Sequence, residues 1–312
     1  MEQTLPRVTV GFVNCNRLFY LKSCVESFII CAEDYANKEI IVVDNSSIED
    51  GTSEYLEDLE NRGFKVFRQT ERDPANEYAK ALNIIAENAT GDFIASIPAD
   101  VQFVVKGKWL HEYVKFLELY EDTTGCISFD AQRKIRNDNG KYSNLLGDDD
   151  FKFIYHYQRN PIMGAMNCMI TKNTMDMMHP WDVDNHAHEG GKDSETKMLE
   201  KVANIILRNN SRIYYAAPTI PVSIGIFHED GSNARVRGSK RYGTYKPPPG
   251  DETGIKYYEI INYEDLPEEW FSRTTPIHIE EISKSIGWNL PIDTAGKWIK
   301  AKESSYYEDL SQ

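Results

Sequence analysis

The sequence predicts an α/β fold: a mostly parallel sheet with helices on its faces in residues 1–104, continuing into a mixed α/β half in residues 105–235. Three observations predict it. The first ninety-odd residues alternate strand and helix signals at short spacing, the pattern that builds βαβ units. Beyond residue 150, the alternating FKFIYHY (151–157) and the apolar MGAMNCMIT (163–171) read as mixed rather than purely parallel. A chain of 312 residues with 41% hydrophobic composition can bury a full core.

The elements follow in order. Val8 to Val13 is a first strand. Leu18, Leu21, Cys24, Val25, Phe28 and Ile29 recur at three- and four-residue steps and mark an amphipathic helix against it. EIIVVDNSS (39–47) is a second strand and its exit, followed by a charged helix near Ser53–Asn61 and a strand at Lys65–Arg68. A helix from Asn76 to Asn88 is closed by Thr90-Gly91, and Phe93–Ile97 is the fourth strand. Trp109–Tyr120 predicts a helix, GCISFD (125–130) a strand, and the polar stretch to GDDD (147–150) a loop or hairpin. A helix over Asp193–Leu207 then precedes strands at Arg212–Ala216 and Val222–Phe227. Residues 236–250, basic with Gly and Pro, read as a mobile loop, and residues 251–312 as an acidic, tyrosine-rich C-terminal extension.

Charge and cysteine usage narrow the function. Lys and Arg number 35 against 49 Asp and Glu, a formal charge of -14, so a nucleic-acid backbone would be repelled and is excluded as a partner. Five cysteines at 15, 24, 31, 126 and 168 show no CxxC spacing, which fits reduced thiols and a cytoplasmic location. No window reaches the roughly 18 apolar residues of a membrane span, leaving only peripheral membrane contact. His186 and His188 do not complete a zinc-site spacing, and GDDD reads as a solvated charge run.

Three predicted strand ends converge on one edge of the sheet: Asn14–Arg17, Asp44–Ser47 and Asp100. In an open α/β sheet, ligands bind in the crevice at the carboxyl ends of the strands. The first turn, VNCNR, lacks the GxGxxG that brings a backbone against a dinucleotide pyrophosphate, which removes the main support for a dehydrogenase. Asp44 can accept from a base N–H or a ribose hydroxyl, or satisfy its own Asp-Asn-Ser-Ser turn. Asp100 can likewise be a ligand or the N-cap of the next helix. Asn76, Lys80 and Asn83 share one helix face at four- and three-residue steps, a face that can reach the phosphate side or simply be solvated.

Taken as a set, VTVGFVNCNR, EIIVVDNSSIEDGT, NEYAKALNIIAENATGDFIASIPAD, EGGKDSETKMLEKV and IFHEDGS resemble the motifs of family 2 glycosyltransferases, inverting enzymes of GT-A fold, over roughly residues 7–235. The resemblance implies a nucleotide-sugar donor, most often a UDP-sugar, a glycan or lipid-linked acceptor, and a divalent cation, Mn2+ or Mg2+. It implies Val13, Cys15 and Asp44 around base and ribose, with Asn16, Ala99, Asp100, Asn76 and Lys80 also on the donor side. Asp100 and His228 become metal ligands, and Asp193 the catalytic base. Arg235 and Arg237 follow His228 closely and can close over the diphosphate. The sequence departs from the family at Pro98, which stands where the first Asp of Asp-x-Asp would be. Pro98 and the long acidic tail favour a second reading, a catalytically silent nucleotide-sugar-binding module. A third, a nucleotidyltransferase, would carry a Gly-rich, Lys/Arg-bearing phosphate loop that VNCNRLF lacks.

Overall fold

The structure is a computed structural model and describes residues 4–16, 18–73, 76–120, 124–129, 145–146, 151–153, 155–158, 167–183, 214–218, 222–225 and 260–266. Its centre is a nine-stranded mixed sheet. Four parallel strands form one side: β1 (Val8–Asn14), β2 (Lys38–Asp44), β3 (Lys65–Arg68) and β4 (Phe93–Pro98), in the order β3-β2-β1-β4. Helices α1 (Leu18–Cys31), α2 (Thr52–Asn61) and α3 (Glu77–Asn88) connect them, as the alternating signals predict.

The other half is mixed, also as expected. Beyond β4 come β5 (Val101–Phe103), β6 (Val105–Lys106), α4 (Trp109–Leu119) and β7 (Thr124–Ser128). β8 (Leu145–Leu146), β9 (Tyr155–Gln158), β10 (Cys168–Thr171), α5 (Lys172–Met178), β11 (Tyr214–Pro218) and β12 (Ser223–Gly225) come next. β10 inserts antiparallel between β4 and β7, and β11 pairs parallel with β7 and antiparallel with β9. β8 lies inside the stretch expected as a loop or hairpin and pairs antiparallel with β9, closing a hairpin.

Three details differ from expectation. The run ending at Thr171 does not stop the chain's regular structure: α5 starts at once, its first turn capped by Thr171 Oγ1, which accepts from Thr174 N at 3.1 Å. β5 and β6 form two small accessory sheets, with β12 and with β13 (Ile261–Asn262) respectively. The segment 260–266 is therefore fastened to the domain rather than trailing from it. Ile261 N donates to Val104 O at 2.9 Å, and the Tyr263 hydroxyl donates to the buried Glu112 carboxylate, which also accepts from Phe153 N at 2.6 Å and Lys152 N at 3.1 Å. The helix expected over Asp193–Leu207 and the loop 236–250 lie outside the described residues.

The core explains why the parallel edge is firm. Gly11 on β1 lets α3 approach so closely that an added Cβ would stand 2.6 Å from Ile85, a contact no side chain tolerates. Beneath the C-terminal edge, Phe12, Phe28 and Phe103 stack edge to face, with centroids 5.6 and 5.1 Å apart, and Trp109 closes on Phe103 at 5.7 Å. Each such fully buried ring contributes about 1.5–3 kcal/mol of burial and roughly 0.5–1.5 kcal/mol per aromatic pair. None of the five cysteines forms a disulfide. Among the described residues no helix is long and apolar enough to cross a membrane.

Candidate functional site

The ladders bring the three expected strand ends together. Asn14 is opposite Asp44, and Val13 is opposite Pro98. Ala99 N donates to Val13 O at 3.1 Å and Asn45 N to Asn14 O at 2.8 Å, so the turns after β2 and β4 both hang on the end of β1. Val13 and Cys15 are half-buried on this edge, Ala99 is buried, and Asp100 is half-buried on the turn.

The polar centre of the edge is Asp44, only 3% exposed. Its Oδ1 accepts from Asn14 Nδ2 at 2.7 Å and from the Ser47 hydroxyl at 2.5 Å, and its Oδ2 accepts from Ser47 N at 2.9 Å. The Asp-Asn-Ser-Ser turn thus does satisfy itself, and a bond across to β1 is added. A carboxylate oxygen accepts two hydrogen bonds, so among the described residues Oδ2 retains one acceptor position.

Asn16 turns out to be a brace. It adopts the left-handed conformation (φ 53°) that asparagine tolerates, is 1% exposed, and its Oδ1 accepts from Ile48 N at 2.8 Å and Glu49 N at 3.2 Å. Its backbone N donates to Ser47 Oγ at 2.5 Å. The Asn16 side-chain oxygen thus holds the loop after β2, which it fixes as one wall of the crevice.

On the α3 face the expected polar residues are paired within the protein. Lys80 Nζ lies 2.6 Å from Asp73 Oδ2, and Asn76 Nδ2 donates to the same carboxylate at 3.2 Å. Lys80 first, then Asn76, hold the Asp73 carboxyl below its usual range. Asn83 points elsewhere, pairing with both backbone groups of Trp181 at 2.7 and 3.0 Å. Sequence reasoning missed Gln69 and Arg72 on the loop leaving β3. Gln69 N donates to Asp44 O at 2.8 Å and its side chain to Asn45 Oδ1, while an Arg72 guanidinium nitrogen lies 2.8 Å from Glu77 Oε2. The signal was present in the charges of TERDPAN, but which of them pair is set by the fold.

The turn carrying Asp100 is braced from below. Cys24 Sγ, fully buried, donates to Pro98 O at 3.6 Å, and burial first, then the nearby Asp100 charge, push its thiol well above the ordinary range. Past the turn, β12 runs antiparallel to β5 with Gly225 opposite Val101, the residue after Asp100. Asp193, His228, Arg235 and Arg237 lie outside the described residues.

Among the described residues no group of three or more His, Cys, Asp or Glu could hold a metal ion. Pro98 occupies the place of a second carboxylate beside Asp100. Hard divalent cations often take only one or two protein carboxylates and complete their shell with phosphate and water. Among the described residues the donors at this edge therefore fit only a cation that arrives with a phosphate-bearing ligand.

Comparison with known proteins bears on this edge. The family described as glycosyl transferase family 2 matches residues 9–180. An uncharacterized protein, y4gI, of Sinorhizobium fredii (strain NBRC 101917 / NGR234) is 32% identical over 127 residues, 41% of this chain and 13% of its own length. Among solved structures, S. aureus TarS is similar with a TM-score of 0.47 and 14% identity over 68% of this chain and 35% of that one. The mannosyltransferase PcManGT from Pyrobaculum calidifontis, in complex with GDP-Man and Mn2+, gives a TM-score of 0.45 and 21% identity over 62% of this chain and 52% of that one. The chain thus spans only a fraction of the length of each of these relatives.

Proposed function

The chain belongs to glycosyl transferase family 2, and on that premise we propose that it is a metal-dependent inverting transferase that moves a sugar from a nucleotide sugar to a hydroxyl of a saccharide or lipid-linked acceptor. A UDP-sugar is the donor class we favour, as the commonest in the family. The observation that carries the reading is the convergence of Asn14, Asp44 and the Ala99–Asp100 turn on one edge, with an acceptor position left on Asp44 Oδ2.

In this reading Asp44 accepts from the base or ribose, and Val13, Cys15 and Ala99 line the same crevice. Asn16 keeps its wall in place. Asn76 and Lys80, joined through Asp73, stand on the phosphate side with Arg235 and Arg237, and residues 236–250 close over the diphosphate. Asp100 and His228 hold a divalent cation, manganese or magnesium, which neutralises charge on the departing diphosphate when bound. What supports His228 is the direction of the β12–β5 ladder, whose last pair stands beside Asp100 shortly before His228 in the chain.

Asp193 takes the proton of the acceptor hydroxyl as that oxygen bonds to the anomeric carbon. The bond from that carbon to the diphosphate oxygen breaks on the opposite face, so configuration inverts and the nucleoside diphosphate leaves.

Thermal unfolding with UDP, GDP, dTDP and CDP, each with and without manganese, tests the donor reading. One nucleotide should stabilise the chain, and more so with manganese. At about a hundred times the dissociation constant the gain is roughly 2.7 kcal/mol. No shift with any of the four would overturn it.

A further inference from the structure

One asparagine outside the crevice links β4, which leads into the Asp100 turn, to β12, which pairs with the strand that leaves it. Asn167, immediately before β10, is in the left-handed conformation (φ 53°), which asparagine and glycine adopt at little strain. Its backbone N donates to Ser96 O of β4 at 2.6 Å, and its backbone O accepts from Phe129 N at 3.0 Å. Its side-chain Oδ1 accepts from the Ser223 hydroxyl, the first residue of β12, at 3.0 Å.

β12 needs such a tie. It is three residues long and belongs to a two-stranded accessory sheet, not to the central one. It is held to the residue after β7 through Phe129 O, which accepts from Val222 N at 3.0 Å and Ser223 N at 3.1 Å, and to the segment between β5 and β6 through Val222 O, which accepts from Val104 N at 2.9 Å. Two N–H groups on one carbonyl set the distance of the strand. The Ser223 side chain, which is buried, adds a further restraint, to Asn167, whose own backbone N is bonded to Ser96 of β4, the strand that delivers Asp100.

We propose that Asn167 is a positioning residue for the donor site: through Ser223 it fixes β12 against β5, and so fixes Val101, the β5 residue opposite Gly225 that directly follows Asp100. This rests on the donor reading above. Loss of the Asn167 acceptor should loosen nucleotide binding more than it loosens the fold, because the backbone bonds of Asn167 to Ser96 and Phe129 survive.

The test is calorimetric titration of the full chain with UDP and GDP in manganese, beside the melting temperature of each variant. Asn167→Gly keeps the left-handed backbone and removes the acceptor, and should weaken binding about three- to tenfold, the worth of one hydrogen bond. Asn167→Asp keeps an acceptor on a residue that tolerates this conformation and should restore wild-type affinity. Ser223→Ala should match Asn167→Gly, and the double variant should be no weaker than either single one, the signature of a shared interaction. If the wild type binds and Asn167→Gly binds equally well, the inference fails while the donor reading stands. If Asn167→Asp is as weak as Asn167→Gly, or the two single losses add, the side-chain link is not the cause and the inference fails. If the wild type binds neither nucleotide, the donor reading itself fails and takes this inference with it.

Discussion

Replacing Asp44 by Asn tests whether the centre of the crevice is wired as described. The wild-type carboxylate collects three donors: Asn14 Nδ2 and the Ser47 hydroxyl on Oδ1, and Ser47 N on Oδ2. An asparagine amide has one acceptor atom. If its oxygen takes the place of Oδ1, its NH2 faces the Ser47 N–H; if it takes the place of Oδ2, its NH2 faces Asn14 Nδ2. Either way a buried donor meets another donor. A hydrogen bond to a charged group is worth about 1.5–3 kcal/mol, so the expected destabilisation is of that size. At roughly 2–4 °C per kcal/mol for a domain of this order of size, the melting temperature should fall by about 3–12 °C. Nucleotide affinity should fall as well, since the acceptor position on Oδ2 is lost or redirected. A melting curve and a calorimetric titration read both. An Asp44→Asn protein that melts with the wild type and binds nucleotide as tightly would refute the reasoning.

Two further outcomes are expected. Glu39, buried at the opposite edge, is pushed up by burial, but hydrogen bonds from Thr9, Lys65 and Thr90 outweigh this and hold it at about 2 against an ordinary 4.5. Its folded-state value is depressed, so its contribution is complete above about pH 4.5 and is lost as pH falls toward about 2. A shift of this size corresponds to on the order of 3 kcal/mol. Urea unfolding should therefore show Glu39→Gln destabilised at neutral pH and closer to the wild type near about pH 3; an equal gap at both would contradict it. Asp193→Asn should keep fold and donor affinity and lose about 10² to 10⁴ in transfer rate, because Asn caps a helix about as well as Asp but cannot take a proton. Turnover within a few-fold of wild type would remove Asp193 as the base.

The parallel half was legible because its elements are long enough to carry a period: seven residues in β1 and in β2, and twelve in α3. β6 and β13, two residues each, carry none. α5 was hidden because its seven residues, Lys-Asn-Thr-Met-Asp-Met-Met, are too few to carry a helical period and follow Cys-Met-Ile-Thr without a Gly or Pro between them. The crevice edge was legible from strand ends alone. The partners within it were not, because spacing says which face a residue occupies and not what it meets. Asn83 meets a backbone 98 residues away, and Asn16 a loop 32 residues away. Asp44 is the instructive case: the structure shows it closing its own turn, one of the two readings open to it from sequence, while its role toward a ligand belongs to the proposal.

The central claim is that Asp100 serves a cation shared with a nucleoside diphosphate. Calorimetry of Asp100→Ala against wild type, with the stabilising nucleotide in manganese and again in EDTA, tests it most directly. Wild type should bind tighter in manganese than in EDTA, and Asp100→Ala should bind in manganese only as wild type does in EDTA. An Asp100→Ala protein that keeps the full manganese-dependent affinity would make Asp100 a turn residue and contradict the claim.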